Sequence, residues 1–307
     1  MNYPEIVLRK GKEQSLERLH PWVFSGAVAR QPDNIEEGDT VKVISSTGNV
    51  IGTGHYQIGS ITVRILAWGD SPVDATLYSE RLKAAYQLRR ALKLINRHNN
   101  AYRLVHGEGD FLPGLVVDVY GDTAVLQAHS PGMHFARDII ASELVNLPDA
   151  GIKNVYYKSE TTLPYKAHLD PQNQYIVGSY STNVAEENGL KFHVDWLKGQ
   201  KTGFFVDQRD NRALLEKYAH NRKVLNMFCY TGGFSVYALR GGAELVHSVD
   251  SSAKAIALTD DNVRLNFPDD TRHTSYAEDA FKFLSAMDTP YDLITVSYTH
   301  LRAHETE

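Results

Sequence analysis

Short runs of alternating or clustered apolar residues open the chain: Ile6-Val-Leu8, Thr40-Val-Lys-Val-Ile44, Val50-Ile51 and Ile61-Thr-Val-Arg-Ile-Leu66. Glu37-Gly-Asp39 and Ser46-Thr-Gly-Asn49 supply turns between them. That spacing predicts a small β-barrel or sandwich over residues 1–72. The period then lengthens. Tyr78, Leu82, Ala85, Leu88, Leu92 and Ile95 recur at helical intervals, which predicts a helix near 80–97 with these positions turned inward. Gly114–Tyr120 and Thr123–Ala128 read as strands, joined through Gly121-Asp122 as a hairpin. A helix near 133–146 and a strand over Asn154–Tyr157 complete a central α+β domain, residues 73–187. From Leu190 onward strand and helix patterns alternate, with strands at 223–227, 244–249, 271–274 and 291–296. Helices are expected near 207–219, 232–241, 252–266 and 278–287. Such alternation predicts a doubly wound α/β domain over 188–296.

Composition changes this picture little. Hydrophobic residues make up 42% and charged residues 22%, an ordinary balance for a globular chain. A net charge of −5 offers no global attraction for nucleic acid, so any such contact must be a local patch. Residues 80–103 supply a candidate, with seven Lys or Arg against one acidic residue; a solvated helix face is the plainer explanation. A lone cysteine, Cys229, excludes an internal disulfide framework and fits a reducing, cytoplasmic setting. No apolar run has the length of a membrane span, and residues 1–12 carry no signal-peptide core.

The chemistry concentrates in the last domain. Val224-Leu-Asn-Met-Phe-Cys-Tyr-Thr-Gly-Gly-Phe-Ser235 reads as a strand, a glycine turn and a new helix, whose N-terminus can receive a polar or anionic ligand. One βα unit later, Asp250 ends a strand where a carboxylate can accept the two hydroxyls of a ribose. The glycine spacing does not match Gly-x-Gly-x-x-Gly, which disfavours a nicotinamide or flavin. Asp279 follows the third strand; it can meet an adenine amino group or simply cap a helix. Asp207-Gln-Arg-Asp210 admits two accounts as well. In one it opens a helix with Asp207 as cap and Ala213, Leu214 and Tyr218 facing the core; in the other Gln208 and Arg209 stand at the mouth of the cofactor pocket.

Lys201-Thr-Gly-Phe-Phe-Val-Asp-Gln-Arg-Asp-Asn-Arg212 and the 225–235 segment together resemble the bacterial class I S-adenosylmethionine-dependent methyltransferases that modify cytosine C5 in 23S rRNA. His20-Pro-Trp-Val-Phe-Ser-Gly26 is similar to the start of that family's PUA domain, a small RNA-binding barrel, and Arg103–Asp118 to its central domain. The likeness runs over residues 5–296. It implies an N-terminal PUA-like β-barrel, a central α+β domain and a C-terminal Rossmann-like class I methyltransferase domain, with 23S rRNA as partner and no membrane. It further implies that Phe228, Tyr230, Thr231 and Gly232 surround the methionine part of S-adenosyl-L-methionine. Asp250, with Ser251 beside it, takes the ribose, Asp279 lies by the adenine, and Gln208 and Arg209 complete the cofactor set.

The chain departs from the family after Val296. Where Asp-Pro-Pro-Lys is expected, it reads Ser297-Tyr-Thr-His-Leu-Arg-Ala-His-Glu-Thr-Glu307. The family's Ser-Cys-Ser nucleophile element has no counterpart, so no catalytic residue is assigned. Cys229 sits within the cofactor turn, where a small buried residue is the ordinary reading. His300 and His304 share helical spacing but lack a third metal ligand. The expectation is therefore a domain incomplete after its fourth strand and weak or absent methyl transfer, the alternative being a non-catalytic RNA-binding protein with a degenerate cofactor fold. A fourth strand left as an open edge further predicts low stability and self-association, for example as a homodimer. A sharp, monomeric thermal transition at high temperature contradicts that expectation.

Overall fold

The computed structural model of the chain describes residues 3–296. Two compact units emerge. The first runs to Thr182 and takes in Trp196–Thr202; the second comprises Asn183–Asp195 and continues from Gly203.

In the first unit the strands β1 (Glu5–Leu8), β2 (Trp22–Phe24), β3 (Val28–Arg30), β4 (Thr40–Ile44), β5 (Val50–Tyr56) and β6 (Ile61–Trp68) form one sheet, in the order β2-β6-β5-β4-β1-β3. A short helix, α1 (Gln14–Glu17), lies between the first two strands. Period-2 alternation sends Ile6, Leu8, Val41, Val43, Val63 and Ile65 into a common core. Gly54 belongs in β5 because a Cβ there would lie 2.0 Å from the Arg64 carbonyl oxygen on β6.

The helix α2 (Ala75–Ala91) follows, capped by Asp74, whose carboxylate accepts the Leu77 N–H. It ends six residues earlier than the apolar period predicts. Lys93 adopts φ 58° while Leu94 N–H reaches back to the Arg89 carbonyl, so the last turn closes on itself. The inward face is Tyr78, Leu82, Ala85, Tyr86 and Arg89, whereas Leu88 and Leu92 are exposed. Arg89 is the reason: its guanidinium grips the buried Asp110 carboxylate, which rotates the stripe away from Leu88. One of the cations counted as surface charge is thus interior.

Beyond it, β7 (Ala101–His106), β8 (Leu115–Tyr120), β9 (Thr123–Ala128), β10 (Asn154–Tyr157) and β11 (Gln174–Val177) make a second sheet in the order β11-β10-β9-β8-β7. The hairpin at Gly121-Asp122 joins β8 to β9 as the sequence predicts. The helix expected near 133–146 is two, α3 (Pro131–Phe135) and α4 (Arg137–Val145). Gly132 is held close to the N-terminal sheet, since a Cβ on it would lie 2.1 Å from the ring of His55 on β5.

The second unit begins with a hairpin, β12 (Val184–Glu187) and β13 (Leu190–His193), and continues with α5 (Arg209–Tyr218). A parallel sheet follows: β14 (Lys223–Met227), β15 (Leu245–Asp250), β16 (His273–Ala277) and β17 (Leu293–Val296), in the order β16-β15-β14-β17. The connecting helices are α6 (Gly233–Arg240), α7 (Ala253–Asn266) and α8 (Ala280–Ala286). These elements match the expected ones to within about three residues at each end, the largest difference being the strand expected at 271–274, which runs His273–Ala277. The sheet grows outward from β14 to β16, then returns to place β17 on the other side of β14. Ligands of such sheets bind at the carboxyl ends of the strands where the order reverses.

One core assignment changes. Ala213, Leu214 and Tyr218 face outward, and α5 buries Arg212, Leu215 and Ala219 instead. Arg212 forms a two-pronged ion pair with Glu187, Nε to Oε1 and Nη2 to Oε2, both at 2.8 Å. The Tyr237 hydroxyl donates to the same carboxylate at 2.9 Å, and Nη2 also reaches the Phe205 carbonyl. The guanidinium lies 4.5 Å from the centroid of the Phe204 ring. Removing one member of such a pair strands a buried charge, at a cost of about 3–5 kcal/mol. We therefore expect Arg212→Ala to shift the urea transition of the second unit by about that amount, and Glu187→Leu/Arg212→Met to cost less than Arg212→Ala alone. Equal losses in the single and double variants, followed by circular dichroism, contradict this reading.

Candidate functional site

The turn from β14 into α6 is conformationally expensive. Phe228, Tyr230 and Gly232 take φ of 53°, 50° and 75°, three left-handed residues within five. Only glycine enters that region freely; a bulky residue there costs on the order of 1–3 kcal/mol. Hydrogen bonds from several neighbouring elements hold the turn. Cys229 N–H donates to the Val249 carbonyl (3.0 Å) and Gly232 N–H to the Cys229 carbonyl (2.9 Å). Tyr230 N–H donates to Asp250 Oδ2 at 2.9 Å, and its hydroxyl to the Gly203 carbonyl at 3.2 Å. From α7, Thr259 Oγ1 donates to the Tyr230 carbonyl (2.9 Å) and Asn262 Nδ2 to that of Thr231 (2.8 Å). Gly232 has a steric reason too, because a Cβ at that position would sit 2.5 Å from Thr259 Cγ2.

Asp250 closes β15 and works on both sides of the turn. Its second oxygen, Oδ1, accepts the Ser252 N–H at 2.9 Å. Each oxygen therefore spends one acceptor site on the backbone and keeps another for a ligand hydroxyl. Ser251 is exposed beside it, and the Ser252 hydroxyl caps α7 by accepting the Ala255 N–H. The loop after β16 joins the group through Glu278 N–H, which donates to the Asp250 carbonyl at 3.0 Å. Asp279 then caps α8, its Oδ1 accepting from Phe281 and Lys282 N–H. Of the two accounts of Asp279, capping is the one with visible partners.

The polar cluster before α5 stands near this turn through Phe205, whose ring meets that of Tyr230 edge-on at 5.3 Å. Gln208 bonds Asp207 and Asn211, and Arg209 Nε lies 3.4 Å from the buried Glu187 carboxylate. The carboxylate that Arg209 meets is thus an internal one. Neither Asp207 nor Gln208 supplies a side-chain cap to the helix.

Sequence reasoning missed Thr259 and Asn262, both wholly buried on α7. A signal was present: two polar residues interrupt the inward stripe of Ala255, Ile256 and Val263. It missed as well a buried polar chain crossing the sheet. Asn226 Nδ2 donates to Ser235 Oγ, which meets Ser248 Oγ at 2.6 Å, and this in turn meets His273 Nε2 at 2.8 Å. Burial holds the His273 imidazole below its ordinary pKa, so it is the neutral ring that joins the chain. The departures noted for residues 297–307, His300 and His304 included, lie outside the described residues. No helix among the described residues is long and apolar enough to cross a membrane.

Residues 6–68 match a family model for a PUA-like domain, and residues 162–303 one for an S-adenosylmethionine-dependent methyltransferase. The chain is 41% identical over 287 residues to ribosomal RNA large subunit methyltransferase I of Aeromonas hydrophila subsp. hydrophila, covering 91% of this chain and 71% of that protein. The same-named protein of Klebsiella pneumoniae strain 342 is 38% identical, with 92% and 71% covered. Among solved structures, a proposed S-adenosylmethionine-dependent methyltransferase of Streptococcus mutans superposes with a TM-score of 0.77 at 23% identity, covering 94% of this chain and 75% of that one. A proposed methyltransferase crystallised with S-adenosylhomocysteine gives a TM-score of 0.78, also at 23% identity, with 94% and 74% covered.

Cys229 is placed for packing. It is buried, its sulfur lies 3.8 Å from Thr259 Oγ1, and burial pushes its thiol up to about 12. Only the thiolate is a nucleophile, so this residue is inert near neutrality. Alkylation by iodoacetamide at pH 8 is expected to be slow in the folded protein and fast in urea. Because the folded pKa lies above the unfolded one, the thiol's contribution to stability is complete below about pH 9 and is lost as pH rises toward about 12. Equal alkylation rates in buffer and urea contradict a buried, neutral thiol.

Proposed function

The chain belongs to the ribosomal RNA large subunit methyltransferase I family, and from that premise we propose that it binds S-adenosylmethionine in the turn of residues 228–232 and acts on large-subunit ribosomal RNA. The observation that carries the reading is the carboxylate of Asp250, anchored by two amides and retaining acceptor capacity at the carboxyl edge of a doubly wound sheet. When bound, the cofactor supplies an electrophilic methyl group.

The residues present suit such a group. Asp250 is suited to the ribose hydroxyls, with Ser251 exposed beside it. Phe228, Tyr230, Thr231 and Gly232 form a strained, pre-set wall for the methionine portion, next to the amides that open α6. Asp279 stands at the third loop, where we assign the adenine end. Gln208 and Arg209 complete the proposed set from the start of α5. A wall already locked by Thr259 and Asn262 needs little ordering on binding, which favours affinity.

For the RNA we assign residues 1–72, the PUA-like module, together with the exposed cations of α2, acting through phosphate contacts and shape. The finer target, C5 of a cytosine in 23S rRNA, rests on the resemblance in the sequence. Activation of that position needs a thiolate that Cys229 does not provide.

Calorimetry tests the cofactor assignment. Heat is expected with S-adenosylhomocysteine and none with NAD; Asp250→Ala should weaken binding about tenfold to a hundredfold, the worth of charge-assisted hydrogen bonds. Gly232→Ala, which forces a Cβ onto Thr259, should weaken it comparably while leaving the first unit intact. Absence of heat with both S-adenosylmethionine and S-adenosylhomocysteine would sink the assignment. Incorporation of a labelled methyl group into large-subunit RNA reads out the transfer itself.

A further inference from the structure

The first unit carries a strip of outward-facing rings, with Phe24 and Phe111 exposed and Trp22 half-buried. On β2, the terminal strand of its sheet, Val23 enters the core, so Trp22 and Phe24 face outward, where alternation ordinarily places polar residues. Phe24 is 47% exposed. His20 joins them, with its ring centroid 5.5 Å from that of Trp22 and 6.2 Å from that of Phe24. Beside these rings lies a recess of about 250 Å³ lined by Lys12, Ser15, Trp22, Phe24 and Gly26.

The strip continues into the central sheet. Trp22 Nε1 donates to Glu108 Oε1 at 2.9 Å, and Glu108 belongs to the turn that ends in Phe111. Phe111 is 49% exposed and holds φ at 56°, a left-handed conformation that a bulky residue keeps only when its surroundings impose it. They do. Buried Asp110 next to it takes the Arg89 guanidinium and the His106 N–H, while Leu112 N–H donates to the Gly107 carbonyl. The Arg81 guanidinium lies 5.0 Å from the Phe111 ring centroid, and its buried Nε has no hydrogen-bond partner among the described residues.

Rigidly presented rings flanked by cations recognise unpaired bases: stacking needs a π-face, which every base has, and the cations meet the backbone. We propose that Trp22 and Phe24 of β2 with the preceding His20, together with Phe111 under Arg81, form a stacking platform for a single-stranded segment of the RNA substrate. The platform spans the PUA-like sheet and the central domain, so one strand engages both. This inference rests on the RNA reading above and adds to it the form of RNA and the rings that hold it.

The test is fluorescence anisotropy with a labelled, unstructured RNA of about 12 nucleotides, and with a perfect duplex of the same length, on the full chain. Phe24→Ala/Phe111→Ala should weaken binding of the single strand at least tenfold, leave the duplex within about twofold, and keep the salt dependence unchanged. Phe24→Tyr/Phe111→Tyr should restore binding. Arg81→Gln should instead flatten the salt dependence. Wild-type affinity of the alanine pair for the single strand overturns the platform, as does an equal loss for strand and duplex. Failure of the wild-type chain to bind either RNA overturns the RNA reading itself, and the platform with it.

Discussion

Asp250 accepts the Tyr230 N–H through one carboxylate oxygen and the Ser252 N–H through the other. Those amides lie in the loops that follow two neighbouring strands, so a single side chain sets the distance between the walls of the proposed site. The first of these loops is one the chain would not adopt unaided, with Phe228 and Tyr230 both left-handed. Each such residue costs about 1–3 kcal/mol, and the conformation survives only if over-determined. Thr259 and Asn262 take the carbonyls of Tyr230 and Thr231 from below, and Gly232 leaves the room that Thr259 needs. From this follow the exposed Phe228, the inward Cys229 and the position where α6 begins.

The same device recurs. Buried charge fixes irregular backbone in both units: Arg212 with Glu187 secures the approach to α5, and Arg89 with Asp110 secures the turn that presents Phe111. Neither pair is strong evidence for stability, since desolvation offsets much of the attraction. Their effect is to select one conformation of a loop that a purely apolar contact would leave free to slide. In the second case the fixed turn carries an aromatic ring, Phe111, at a proposed contact surface.

Much of this was legible in the sequence. Strands over 223–227 and 123–128, the hairpin at Gly121-Asp122 and the carboxylate at Asp250 follow from period, turn chemistry and spacing. The misplaced core residues share one cause. On α2 and α5 the inward stripe includes an arginine, and a reading that equates burial with hydrophobicity placed Leu88, Leu92, Leu214 and Tyr218 inside instead. An arginine's partner is distant in sequence, Glu187 lying 25 residues from Arg212, so no local pattern announces it. Thr259 and Asn262 went unread for the same reason, their acceptors being carbonyls about 30 residues away. The left-handed φ of Phe228 and Tyr230 had no sequence signature at all, because glycine is the residue that advertises such a conformation.

The proposed cofactor wall, residues 228–232, is held in place by Asp250, Thr259 and Asn262 before any ligand arrives. Amide hydrogen exchange of Tyr230 and Ser252 in the ligand-free chain tests this most directly. Both N–H groups are bonded to Asp250, so exchange is expected to be slow without ligand, fast in Asp250→Ala and little changed by S-adenosylhomocysteine. Exchange at the rate of a free loop, becoming slow only when S-adenosylhomocysteine is added, would contradict it.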